Sequence, residues 1–154
     1  TFAGPHCAQL NLLPARTSRA LFREGSSSWG GTVRRGRDGR HHMYFSDILG
    51  HCGLNSWECN SAIAHAIAPR DSPEGPYELT ETVLPPFAHN PTLQVHEGKW
   101  IIYHIGSGRQ YKPEMACSRG VTNGTCGASS LEEEPSGLGD EDPGSPNILV
   151  SEGP

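Results

Sequence analysis

No stretch of this 154-residue chain approaches the ~20 consecutive apolar residues that cross a bilayer as a helix. No Cys-x-x-Cys pair occurs, so the five cysteines carry no zinc-site spacing. Aromatic residues are 7% and hydrophobic residues 34%, so large core-forming side chains are scarce. Helix-compatible composition is missing as well. With 19 Gly and 13 Pro, helix breakers exceed the usual combined share of about 12%, which excludes a helix bundle or coiled coil. The formal net charge is −5, and residues 127–154 carry seven acidic side chains with no Lys or Arg. No part of the chain builds the strong positive field that nucleic acids require, so a nucleic-acid partner is not expected. Arg34, Arg35, Arg37 and Arg40 gather around one turn and read as a solvated hairpin tip.

What is present is β-forming sequence between Gly and Pro turns. Ala15 to Arg23 has helix-like composition, and Ser26 to Ser28 reads as a linker. From Trp29 to Ser46 the chain reads strand, turn, strand. Asp38-Gly39 supplies the turn, because a tight hairpin needs positive φ there. The stretch from His89 to His104 repeats this pattern. Thr32 and Val33 correspond to Thr92 and Leu93, and Asp38-Gly39-Arg40 corresponds to Glu97-Gly98-Lys99. The one-residue change in offset falls at the hairpin tip, where length changes are tolerated. Between the two hairpins, Ser61 to Ala68 alternates small residues with Ile63, His65 and Ile67, the period of a strand. A further strand is expected at Ile148 to Val150. Residues 118–146 are a Gly/Ser/Glu/Pro-rich insertion with few apolar side chains, expected to be a disordered acidic loop.

A repeated antiparallel unit of roughly 60 residues suggests a propeller blade, which cannot bury both faces alone and stacks on neighbours. The fold class expected is all-β: a partial β-propeller of about two blades. The expected organisation is an N-terminal segment (1–28), blades (29–117), the insertion (118–146) and the start of a further strand and turn (147–154). Propellers close with at least about four blades, so the remaining blades would come from a longer chain or another chain. The sequence opens on no Met and no signal peptide, and so reads as a mature or incomplete product. Its spacing suggests the local disulfides Cys52–Cys59 and Cys117–Cys126. Together with the sequon Asn123-Gly124-Thr125, these lean towards an extracellular or secretory compartment.

Residues 29–106 resemble the five-bladed β-propeller glycoside hydrolases, the superfamily containing families 43, 62 and 32. The resemblance rests on Trp29-Gly30-Gly31, the hairpin from Asp38 to Phe45, and Asn60-Ser61-Ala62-Ile63. It continues through Asp71-Ser72-Pro73-Glu74-Gly75-Pro76-Tyr77, His89-Asn90-Pro91 and the stretch from Glu97 to Tyr103. It implies a carbohydrate ligand or substrate and hydrolysis of a glycosidic bond by two carboxyl groups flanking it, with no cofactor and no membrane partner. Where family-43-like enzymes have an Asp-Pro pair, this chain has Asn90-Pro91, and Asn cannot ionise. Trp57-Glu58-Cys59 is similar to the W-E-C phrase of family 32, where the Glu is the general acid; there Pro follows, and here Asn60 does. Asp47, after the first hairpin, is the second candidate acid and is equally a strand-end cap. The candidate sugar-binding residues are Trp29, Asn60, Ser61, His89 and Asn90. An indole stacks on the apolar face of a sugar ring, and His, Asn and Ser hydrogen-bond its hydroxyls. No metal site is expected, since the adjacent His41 and His42 point to opposite sides of a strand. A non-catalytic sugar-binding propeller and a propeller scaffold for protein partners are the competing readings.

Overall fold

The computed structural model describes residues 2–10, 12, 14, 20–109, 116–117 and 146–151. Its architecture is mostly β, in open antiparallel sheets. Strands β1 (Phe2–Ala3) and β2 (Gln9–Leu10) form a short ladder. The main sheet is a meander of β3 (Ser27–Arg35), β4 (His41–Ile48), β5 (Ser61–Ala68) and β6 (Glu78–Leu84), hydrogen-bonded in chain order. A second sheet holds β7 (His89–His96), β8 (Lys99–Ile105) and β9 (Pro146–Ser151) in the same order. One helical turn, α1 (Trp57–Asn60), connects β4 to β5.

The repeat seen in the sequence is present in the backbone register. Thr32 pairs with Tyr44 and Val33 with Met43; Thr92 pairs with Tyr103 and Leu93 with Ile102. Both hairpin tips use a glycine in the left-handed region, Gly39 at φ 80° and Gly98 at φ 78°, which a Cβ would disfavour. The two tips touch: Arg37 donates to the Gly98 carbonyl across 3.4 Å. The third strand of the second unit, β9, continues the meander beside β8.

β4 and β5 are buried along nearly their whole length, because the middle of the main sheet is covered on both faces while β3 and β6 are largely exposed. On one face Tyr44 and Ile63 meet Ala88, just before β7, and Leu93, Trp100 and Ile102 of the second sheet. On the other, Phe45 and the small side chains Ala64, Ala66 and Ala68 cluster with Tyr77 and Leu21. The alternation of small and large residues read along β5 thus serves two cores at once.

Three expectations change. The described part of the supposed helix, Ala20 to Arg23, is irregular; it runs beside the segment leading into β6, where the Tyr77 amide donates to the Ala20 carbonyl at 2.7 Å. The disulfide is Cys52–Cys117, with a sequence separation of 65, and neither local pair forms. The Cys117 amide donates to the Gly50 carbonyl at 2.9 Å, which brings the two distant segments together. Cys59 is disulfide-bonded too, to a partner that lies outside the described side chains. Of the insertion expected at 118–146, Pro146 instead opens β9, and the rest lies outside the described residues, as does the sequon.

A cross-link over this separation removes loop entropy worth about 4 kcal/mol from the unfolded chain. The double variant Cys52→Ala/Cys117→Ala is expected to lose about 2–4 kcal/mol of stability, read as a lowered urea midpoint with the bridge of Cys59 untouched.

Candidate functional site

The polar residues singled out in the sequence fall at one end of the two sheets, where β3 and β7 begin and β4 and β8 end. Both beginning strands carry a register shift there, between Trp29 and Gly31 and between His89 and Thr92. At the shifts the backbone turns left-handed, at Gly30 (φ 46°) and at Asn90 (φ 53°), positions that correspond in the repeat. The two steps abut. A Cβ on Gly30 would lie 2.8 Å from the Asn90 Oδ1, the tip of an exposed side chain that can turn aside, so it is the positive φ that favours glycine there. The Asn90 amide donates to Ser46 Oγ at 2.8 Å, which ties the start of β7 to the end of β4. The Asn90 side chain is exposed, and Trp29 is 52% exposed one residue before Gly30.

His89 lies buried behind Asn90, its ring 4.8 Å from Trp57 of α1. Trp57 also meets Phe87 edge-on, so the single turn of α1 is docked on the connection into β7. Ser61 opens β5 and spans the two sheets: its Oγ–H donates to the Ala88 carbonyl at 2.8 Å, and its oxygen lies 2.8 Å from His89 Nδ1. The Ala88 amide returns a bond to the Ser61 carbonyl at 2.8 Å. Asn60 is fully buried and donates to the Leu49 carbonyl at 2.8 Å, so it closes the β4–β5 connection rather than lining the mouth.

The two candidate acids have different surroundings. Glu58 is exposed on α1. The Asp47 side chain is 3% exposed, ion-paired with Arg23 and bonded at 3.0 Å by Ser26 Oγ–H. Its charge anchors the segment before β3 to the end of β4. The sequence offered no sign of this partner, because Arg23 falls in a stretch of helix-like composition. Trp57 and Ser46 were likewise missed, although the W-E-C phrase marked the position of the first.

A second polar cluster lies deeper, on the face of the main sheet turned to Trp100. His42 Nδ1 lies 2.9 Å from His65 Nε2 with the rings stacked, and Tyr44 stacks on the far side of His65. Thr80 Oγ–H donates to the His65 carbonyl and therefore accepts from His65 Nδ1–H at 3.0 Å. His65 Nε2 is left to accept from His42 Nδ1–H, and His42 Nε2 faces Asp38 Oδ1 at 3.2 Å. Among the described residues, no group of three or more His, Cys, Asp or Glu is placed to hold a metal ion.

No protein-family model, no curated protein and no solved structure matches this chain.

Burial holds the imidazoles of His65, His89 and His104 below the ordinary histidine value of 6.5; at His65, repulsion from His42 adds to burial and Glu81 opposes both. The folded protein thus refuses protons that the unfolded chain accepts. The stability they confer is complete above pH 6.5 and falls as the pH drops from there through the folded values. Melting temperature is expected to fall steadily from pH 7 to pH 5, each group contributing up to about 1.4 kcal/mol per pH unit in its window. His104→Gln should flatten that decline, seen by scanning calorimetry at several pH values.

Proposed function

We propose that this chain is a carbohydrate-binding protein whose two sheets are successive blades of a β-propeller, with the sugar site at the end where β3 and β7 begin. The observation that carries this reading is the pair of abutting backbone steps at Gly30 and Asn90. They set an exposed indole and an exposed carboxamide, one from each first strand, at the same end of the two sheets. An indole face stacks on the C–H face of a pyranose or furanose ring, and a carboxamide both donates to and accepts from hydroxyls. The matching register of the two hairpins and the packing of β7 beside β3 support side-by-side blades. Further blades of the same kind would complete the ring.

Glycoside hydrolase chemistry is the fuller form of this proposal. It needs two carboxyl groups across the scissile bond. Glu58 is accessible, whereas Asp47 is spent on Arg23, so among these residues the arrangement favours binding over turnover. A carboxylate supplied by a further blade would complete the pair. The Cys52–Cys117 bridge supports an extracellular or secretory setting.

A glycan array followed by a reducing-sugar assay tests the reading. Retention of neutral glycans, weakened about tenfold or more by Trp29→Ala with the fold intact, is the expected result. Release of reducing sugar, abolished by Glu58→Gln, would add catalysis. An array that retains nothing would overturn the proposal.

A further inference from the structure

The hydrogen bonds around Ser61 fix the position of the His89 ring proton. A serine hydroxyl has one proton, and Ser61 donates it to the buried carbonyl of Ala88. At its other contact the Ser61 oxygen can only accept, so His89 Nδ1, 2.8 Å away, carries the proton of that bond. A second tautomer would set the lone pair of Nδ1 against that of the serine oxygen, or strip the Ala88 carbonyl of its donor, and either costs a buried hydrogen bond. Burial also lowers the affinity of this ring for a second proton. The neutral ring that results has its free lone pair on Nε2.

Among the described residues, Ser61 is the hydrogen-bond partner of His89, and no fully buried side-chain nitrogen or oxygen lacks a partner. His89 is 5% exposed, so Nε2 keeps a narrow contact with solvent beside the ring of Trp57. A bare Nε2 accepts from a hydroxyl and repels a carboxylate or sulfate. Of the cations at this end, Arg23 is committed to Asp47, and Arg109 is exposed after Gly108, whose amide donates to the Phe87 carbonyl at 2.9 Å.

We propose that His89, held by Ser61 with its proton on Nδ1, is the specificity-determining acceptor of the mouth, taking a hydroxyl of a neutral sugar at Nε2 and discriminating against uronate and sulfated sugars. This rests on the carbohydrate reading above and names the sugar class for it.

Two measurements test it on the whole chain. The first is the 15N spectrum of ring-labelled histidine at pH 7, assigned with His89→Gln. Protonated Nδ1 and unprotonated Nε2 are expected, with the preference reduced in Ser61→Ala. The opposite tautomer, or a doubly protonated ring, would overturn the acceptor role. The second is an array of neutral, uronate-containing and sulfated oligosaccharides. Retention of neutral glycans at least tenfold above their acidic counterparts is expected, with the Nε2 resonance moving on addition of a retained glycan. His89→Gln, which offers a carbonyl acceptor at similar reach, should keep more of that affinity than His89→Leu. Preference for acidic glycans, or a stationary Nε2 signal, would overturn the assignment while leaving sugar binding in place. An array that retains nothing, with the Nδ1 proton where it is expected, would instead overturn the carbohydrate reading and the ligand assignment that depends on it.

Discussion

Replacing Trp100 with Ala is expected to lower the unfolding free energy by about 3–5 kcal/mol, read from the urea midpoint. Trp100 is the largest side chain between the two sheets. It is buried, and it stands edge-on to His42 at 5.5 Å and to Tyr44 at 6.1 Å. Removing it takes away apolar area and also opens a void beside polar rings whose hydrogen bonds were made in a dry setting. Water entering that void would solvate the His42–His65 pair and loosen the second sheet from the first. Trp100→Phe keeps an aromatic edge and should cost less than half as much. If the alanine variant matched the wild type, the second sheet would not owe its position to this core.

Arg23→Ala is expected to cost about 3 kcal/mol, because Asp47 stays buried after its cation is gone. The double variant Arg23→Ala/Asp47→Asn should regain much of the loss, since an uncharged amide needs no counter-ion and Ser26 can still donate to its oxygen. A thermodynamic cycle over the four proteins isolates the pair from the packing of the Arg23 stem. A cycle that closes with no coupling would remove the ion pair as the anchor of the segment before β3. The single variant is also expected to free the 20–26 segment for proteolysis, which limited trypsin digestion would reveal.

The hairpins were legible because their turns are written in residues with a single conformational purpose. Asp38-Gly39 and Glu97-Gly98 announce positive φ, and the apolar pattern around them fixes the register that the pairing shows. β5 was legible by its period, though not that its small-residue face would meet a second core. The long-range partners were not legible. Cys52 lies seven residues from Cys59 in the chain, and spacing alone favours that short loop. The bond to Cys117 depends on how the β4–β5 connection folds back, which no local pattern encodes. Arg23 and Asp47 meet for the same reason, through the return of an irregular segment. At the mouth, residue types were readable but their duties were not. Asn60 and Asn90 look alike in sequence, yet one closes a loop and the other faces solvent.

Positions 30 and 90 compete for one small volume. A side chain at position 30 would meet the tip of Asn90, which would have to turn aside to admit it. Gly30 yields the space that the Asn90 amide fills. Exchanging the two residues would carry the polar group from one strand to its neighbour on an unchanged backbone, and shift the point where a ligand is gripped without redesigning either sheet.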